Sequence, residues 1–159
     1  MKVVIACGGS GGHIIPGLAL GSSLREIREG LEVIFVVSRK ALDRKMLRKE
    51  KAVLALPIVG MPRALSWRFP VFLVRAAISF GICLWQMVRL KPDVFVGFGG
   101  YVCGRVLLTG ILLGRPTFIH EENVIPGRTN LWLSRRVSRV GIAFEETKAF
   151  FRGEVSVVC

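Results

Sequence analysis

Acidic side chains, paired cysteines and histidines are what this sequence has least of, and each shortage excludes a class of protein. Asp and Glu together number 11 against 23 Lys and Arg in 159 residues, a formal charge of +12. The four cysteines, Cys7, Cys83, Cys103 and Cys159, are widely spaced, form no C-x-x-C pair and have no histidine cluster beside them. Neither a disulfide framework nor a zinc site is therefore expected, and no cofactor or other metal is called for. The start, Met1-Lys2, runs straight into strand-like Val3-Val4-Ile5-Ala6 without the roughly 7–15 residue apolar core of a secretory signal, so a cytosolic, reducing location is expected. No internal repeat, low-complexity tract or flexible linker breaks the chain, which is read as one domain over 1–159.

What is present is an uncommon pairing of charge and grease. Hydrophobic residues make up 52% of the chain and the mean hydropathy is +0.52, on top of the positive charge. Nucleic-acid binders are basic but seldom this apolar, so no nucleic-acid partner is expected. A basic, apolar, non-spanning domain points instead to an anionic membrane surface.

Apolar runs of strand length alternate with helix-length segments from end to end. The pattern predicts strands near 2–7, 32–37, 53–56, 93–98, 116–119, 139–143 and 155–158, with helices near 16–29, 42–50, 70–90, 102–113, 126–135 and 145–151. That alternation defines an α/β fold with a doubly wound, Rossmann-like parallel sheet covered on both faces.

Directly after the first strand comes Cys7-Gly8-Gly9-Ser10-Gly11-Gly12-His13, leading into a helix whose first turn Pro16 suits. Glycines let a backbone approach a ligand closely, and a helix N-terminus offers unpaired N–H groups with partial positive charge, so the turn suits phosphate or pyrophosphate. The alternative is a plain tight turn. The dinucleotide fingerprint fails, because Ile14 stands where its third glycine belongs and the second strand ends in Ser38-Arg39 with no acid. A Walker A loop fails too, since no lysine follows Gly12.

A second glycine turn, Gly99-Gly100-Tyr101-Val102-Cys103-Gly104, follows the strand ending at Phe98, and a polar cluster, His120-Glu121-Glu122-Asn123, follows the strand at 116–119. In an open parallel sheet such loops at strand carboxyl ends form the ligand crevice, where two helix N-termini could hold one diphosphate. Packing alone is the other reading of Gly99 and Gly100.

Three segments in order, G-G-S-G-G-H-I-I-P-G, P-D-V-F-V-G-F-G-G-Y-V-C-G and H-E-E-N-V-I-P-G-R-T-N, give the chain its likeness to a known group. It resembles the MurG family, peptidoglycan transferases that add N-acetylglucosamine to an undecaprenyl-pyrophosphoryl-muramyl-pentapeptide. The resemblance implies the N-terminal, acceptor-binding domain of a GT-B glycosyltransferase, with the UDP-sugar domain lying beyond Cys159. By matching motifs, Ser10, Gly11, Gly12 and Asn123 would contact the UDP-sugar or its diphosphate, and His13, Tyr101, Glu121 and Asn130 would line the acceptor side. Glu122 stands where the family commonly has glutamine and Cys103 where serine is usual. A separately encoded nucleotide-binding partner is the alternative arrangement, and an NADP-dependent oxidoreductase using Arg39 is a remote third.

The same resemblance implies an inverting transfer from UDP-N-acetylglucosamine to a lipid-linked pyrophosphate acceptor. His13 is the candidate base, or else a donor to phosphate; Glu121 is the second candidate, or else a group that orients Asn123. Peripheral attachment to the cytoplasmic face of a bacterial inner membrane follows, and one segment looks built for it. Arg63, Trp67, Arg68, Phe69, Phe72, Leu73 and Arg75 mix aromatic and basic groups as an interfacial anchor does. Arg75 and Arg89 bracket an apolar stretch of 76–88, too short to span a bilayer, which reads mostly as a buried helix.

Overall fold

A computed structural model describes residues 1–58, 60, 69–152 and 155–157. The elements in order are β1 (Lys2–Ala6), α1 (Gly11–Ile27), β2 (Glu32–Ser38), α2 (Ala41–Met46), β3 (Val53–Leu56), α3 (Phe69–Leu90), β4 (Val94–Gly97), α4 (Gly100–Leu112), β5 (Thr117–Glu121), α5 (Arg128–Leu133), β6 (Arg139–Ile142), a 3₁₀ helix (Glu145–Phe150) and β7 (Val155–Val157). Each expected strand is there.

All seven strands are parallel and lie in the order β3-β2-β1-β4-β5-β6-β7. Buried strands must be apolar on both sides, and β1 and β2 show why their runs are continuous. Val3, Ile5, Cys7, Val33, Phe35 and Val37 face one layer with Ile14 and Leu47, while Val4, Ala6, Ile34 and Val36 face the other with Cys83, Met87, Val102 and Val106. Helices α1 and α2 therefore cover one face and α3, α4 and α5 the other. The winding reverses between β1 and β4, and their carboxyl ends open side by side at that switch point.

Four expectations are corrected by the fold. Pro16 lies inside α1 rather than in its first turn, because the helix begins earlier, at Gly11. Helix α2 stops at Met46, where Leu47 turns inward to full burial and the Glu50 N–H closes a turn on its carbonyl at 3.0 Å. The helix at 145–151 is a 3₁₀ helix. Cover on both faces is incomplete among the described residues. Right-handed crossovers after β4 carry α4 and α5 to one side. The opposite side of β4 to β6 is left as a cavity of about 460 Å³ lined by Leu20, Phe98, Phe118 and His120.

Candidate functional site

The first glycine turn joins β1 to α1. Gly9 has φ +109°, a conformation that side-chain-bearing residues rarely adopt, and a methyl group there would come 2.9 Å from the Tyr101 ring. Ser10 stands at the N-cap of α1 without a side-chain capping bond, and the first turn carries no acidic residue. Gly11 and Gly12, expected to lie in the loop, are the first residues of the helix itself. A 17-residue helix with no acid in its own first turn thus presents its positive end at the switch point.

The second turn meets it there. Gly99 caps α4 with φ +103° and Gly100 follows at φ +74°, again with no acid in the first turn. A methyl group on Gly99 would stand 3.1 Å from His13 Cε1 and 3.3 Å from Asn130 Nδ2; one on Gly100 would stand 3.2 Å from His13 Cδ2 and 3.4 Å from the Gly8 carbonyl. His13 is consequently wedged between the two turns. The sequence places Ser10, Gly11, Gly12, His13, Gly99, Gly100 and Tyr101 on two distant segments, and the fold brings them to one crevice.

Glu121 ends β5 in a fully buried position. Its Oε1 accepts from the backbone and side-chain nitrogens of Asn123 at 3.0 and 2.8 Å; its Oε2 accepts from Gly127 N and Asn130 Nδ2, both at 2.9 Å. Four donors fill the carboxylate. Of the two roles open to Glu121, this geometry favours orienting Asn123 and Asn130 over accepting a substrate proton. Asn130, itself buried, links the cluster back to Gly99 and His13.

Titration separates the remaining candidates. Burial lowers the His13 pKa below 6.5, opposed by the Glu121 charge and the Phe98 carbonyl, so the ring is neutral near pH 7. Its Nδ1 is enclosed without a hydrogen bond among the described residues. His120 is lowered by burial in the same way, again opposed by Glu121. Burial, reinforced by Glu121, pushes the Glu122 carboxyl up to about 7. Cys7 and Cys103 are pushed up to about 12, chiefly by burial, and are inert thiols; Cys7, Cys83 and Cys103 are free. Among the described residues no group of three His, Cys, Asp or Glu side chains could hold a metal ion.

Two residues that no motif marks also contact the first glycine turn. Asp43 on α2 is fully buried and binds the first glycine turn, and Lys40 lies 5.3 Å above the Tyr101 ring with its Nζ 3.4 Å from the Gly9 carbonyl. The dinucleotide fingerprint puts its acid at the end of β2, where Ser38-Arg39 stand. The carboxylate arrives from the next helix, five residues beyond Ser38.

Of the anchor residues, Arg63, Trp67 and Arg68 lie outside the described residues. Phe69, Phe72, Leu73 and Arg75 form the start of α3, with the Phe69 and Phe72 rings 6.1 Å apart. The expectation that 76–88 is mostly buried is overturned. Only Ser79, Cys83 and Met87, one stripe at a spacing of four, are buried, whereas Leu73, Val74, Ile78, Trp85 and Val88 are about half exposed or more. The reason is that α3 presents a single edge to the sheet and nothing among the described residues covers the rest. By length and composition alone α3 could cross a membrane. It is nevertheless the crossover between β3 and β4 of one sheet, with Cys83 bonded to Thr109 of α4, which lays it alongside the domain.

Comparison with known proteins agrees with this fold. Residues 3–142 match the glycosyltransferase family 28 N-terminal domain, and the chain belongs to that family. The chain is 37% identical to the UDP-N-acetylglucosamine–N-acetylmuramyl-(pentapeptide) pyrophosphoryl-undecaprenol N-acetylglucosamine transferase of Bacillus licheniformis, over 97% of this chain and 42% of that protein. Identity to the protein of the same name from Ruminiclostridium cellulolyticum is 39%, over 99% and 44% respectively. The crystal structure of Acinetobacter baumannii MurG superposes with a TM-score of 0.81 at 30% identity, covering 98% of this chain and 44% of that one. The fold is that of the N-terminal domain of a GT-B glycosyltransferase, and the chain spans about two fifths of the length of the relatives it matches.

Proposed function

We propose that this chain is the N-terminal, membrane-facing half of an inverting glycosyltransferase. It moves N-acetylglucosamine from UDP-N-acetylglucosamine to an undecaprenyl-pyrophosphoryl-muramyl-pentapeptide, the step from lipid I to lipid II in peptidoglycan synthesis. The observation that carries the reading is His13 wedged between two glycine turns whose helix ends converge at the switch point. Relatives bearing that activity in their names align over nearly the whole chain.

The acceptor sugar hydroxyl attacks the anomeric carbon, a carbon–oxygen bond forms, and the bond to the UDP oxygen breaks. His13, neutral near pH 7, takes the hydroxyl proton. N–H groups at the starts of α1 and α4 stabilise the negative charge that gathers on the diphosphate. Asn123, held by Glu121, contacts the nucleotide-sugar, and Tyr101 lines the acceptor side, with buried Asn130 behind it supporting Glu121. The exposed apolar face of α3, with Arg75 and Arg89 on it, docks on an anionic leaflet at the cytoplasmic face of the inner membrane.

The test uses a full-length protein carrying this chain as its N-terminal half. Labelled N-acetylglucosamine is expected to pass from the UDP-sugar to the lipid carrier, and His13→Ala to cut that rate by about a hundredfold or more while leaving the fold intact. Unchanged turnover in His13→Ala removes the base assignment, and absence of transfer by the parent protein removes the whole reading.

A further inference from the structure

The first glycine turn does not hold its shape alone. Its support is Asp43, whose Oδ2 accepts from Gly9 N at 3.0 Å, Ser38 N at 3.0 Å and the Ser38 hydroxyl at 2.6 Å. Packing at this point is as tight as the bonding. A methyl group on Gly8 would come 2.8 Å from Asp43 Oδ2 and 2.8 Å from Ser38 N, so the turn rests directly on the end of β2. The Gly9 carbonyl accepts from Lys40, and the Gly9 N–H is committed to Asp43 and unavailable to a ligand. Asp43 Oδ1 is buried and has no hydrogen-bond partner among the described residues.

We propose that Asp43 is a positioning residue for the anion-binding turn. By gathering Gly9 and both donors of Ser38 onto one oxygen, it sets the peptide orientation through Gly8–Ser10. That orientation fixes the direction in which the first turn of α1 presents its N–H groups to a nucleotide diphosphate. The inference rests on the functional reading above, although its structural half can be tested without activity.

Asp43→Ala and Asp43→Asn are compared in the full-length protein, since asparagine keeps one acceptor oxygen and alanine keeps none. In Asp43→Ala the KM for UDP-N-acetylglucosamine is expected to rise about tenfold or more, with a smaller fall in kcat, and hydrogen exchange over residues 7–13 to quicken by a similar factor. Asp43→Asn is expected to restore both to within a few fold of the parent. Parental KM and exchange in folded Asp43→Ala overturn the proposal, as does an asparagine variant no better than alanine. If the alanine chain fails to fold, exchange in Asp43→Asn decides: a protected turn supports the proposal and an exposed one overturns it. A parent protein that transfers no sugar removes the functional reading, yet the exchange comparison still decides whether Asp43 holds Gly9.

Discussion

His13 lies against Gly100, its Cδ2 3.2 Å from where a Cβ at that glycine would stand. Since Gly100 also has φ +74°, Gly100→Ala adds backbone strain and pushes the imidazole at once. The expected outcome is a loss of about 1–3 kcal/mol in stability and a larger, more than tenfold loss of sugar transfer. Denaturant unfolding and a transfer assay on the full-length protein check the two halves, and a variant that loses only stability would separate His13 from the chemistry.

Glu121 invites a sharper substitution. Glu121→Gln turns an acceptor into an N–H₂ facing either the Asn123 donors or those of Gly127 and Asn130. Donor facing donor in a buried site should cost about 2–4 kcal/mol, read as a lower unfolding midpoint. An unchanged midpoint would mean that the four bonds contribute nothing to the fold.

Acid should act through His13. Its pKa in the folded chain lies below the ordinary 6.5, so the unfolded chain binds more protons and stability is complete above pH 6.5 and lost as pH falls toward the folded value. The rate should fall as pH drops through that folded value and below it, and a pH profile of kcat/KM should show an acidic limb that His13→Ala abolishes. Glu122 behaves oppositely. Its carboxyl titrates near 7 rather than 4.5, so stability declines as pH rises from 4.5 to 7, and Glu122→Gln should raise the melting temperature at pH 8 but not at pH 4.5.

The outer face of α3 can be tested directly. Leu73, Val74, Ile78 and Trp85 changed together to Ser remove apolar surface that is about half exposed, leaving the buried stripe of Ser79, Cys83 and Met87 untouched. Co-sedimentation with anionic vesicles should fall about tenfold or more while the melting temperature stays within a few degrees. Equal binding by the variant would place the membrane contact elsewhere.

Much of the architecture was legible in the residue order. Seven strands and the parallel, doubly wound fold follow from apolar runs alternating with helical segments, because burial on both faces demands continuous hydrophobicity and parallel pairing demands a crossover between strands. Both glycine turns were legible too, since so many glycines after a strand leave few other uses. Residue order thus sets the kind of sheet and the places of the glycine turns. Which distant groups meet is settled by how the chain winds. Strand order puts β1 beside β4 and so sets His13 against Gly99 and Gly100; α2 returns over β2 to bring Asp43 onto Gly9; four donors close on Glu121. The same holds for α3, whose apolar composition fits a buried helix equally well. Its exposed face arises because winding sets it at the side of the sheet with one stripe inward, a fact of neighbours that no run of residues encodes.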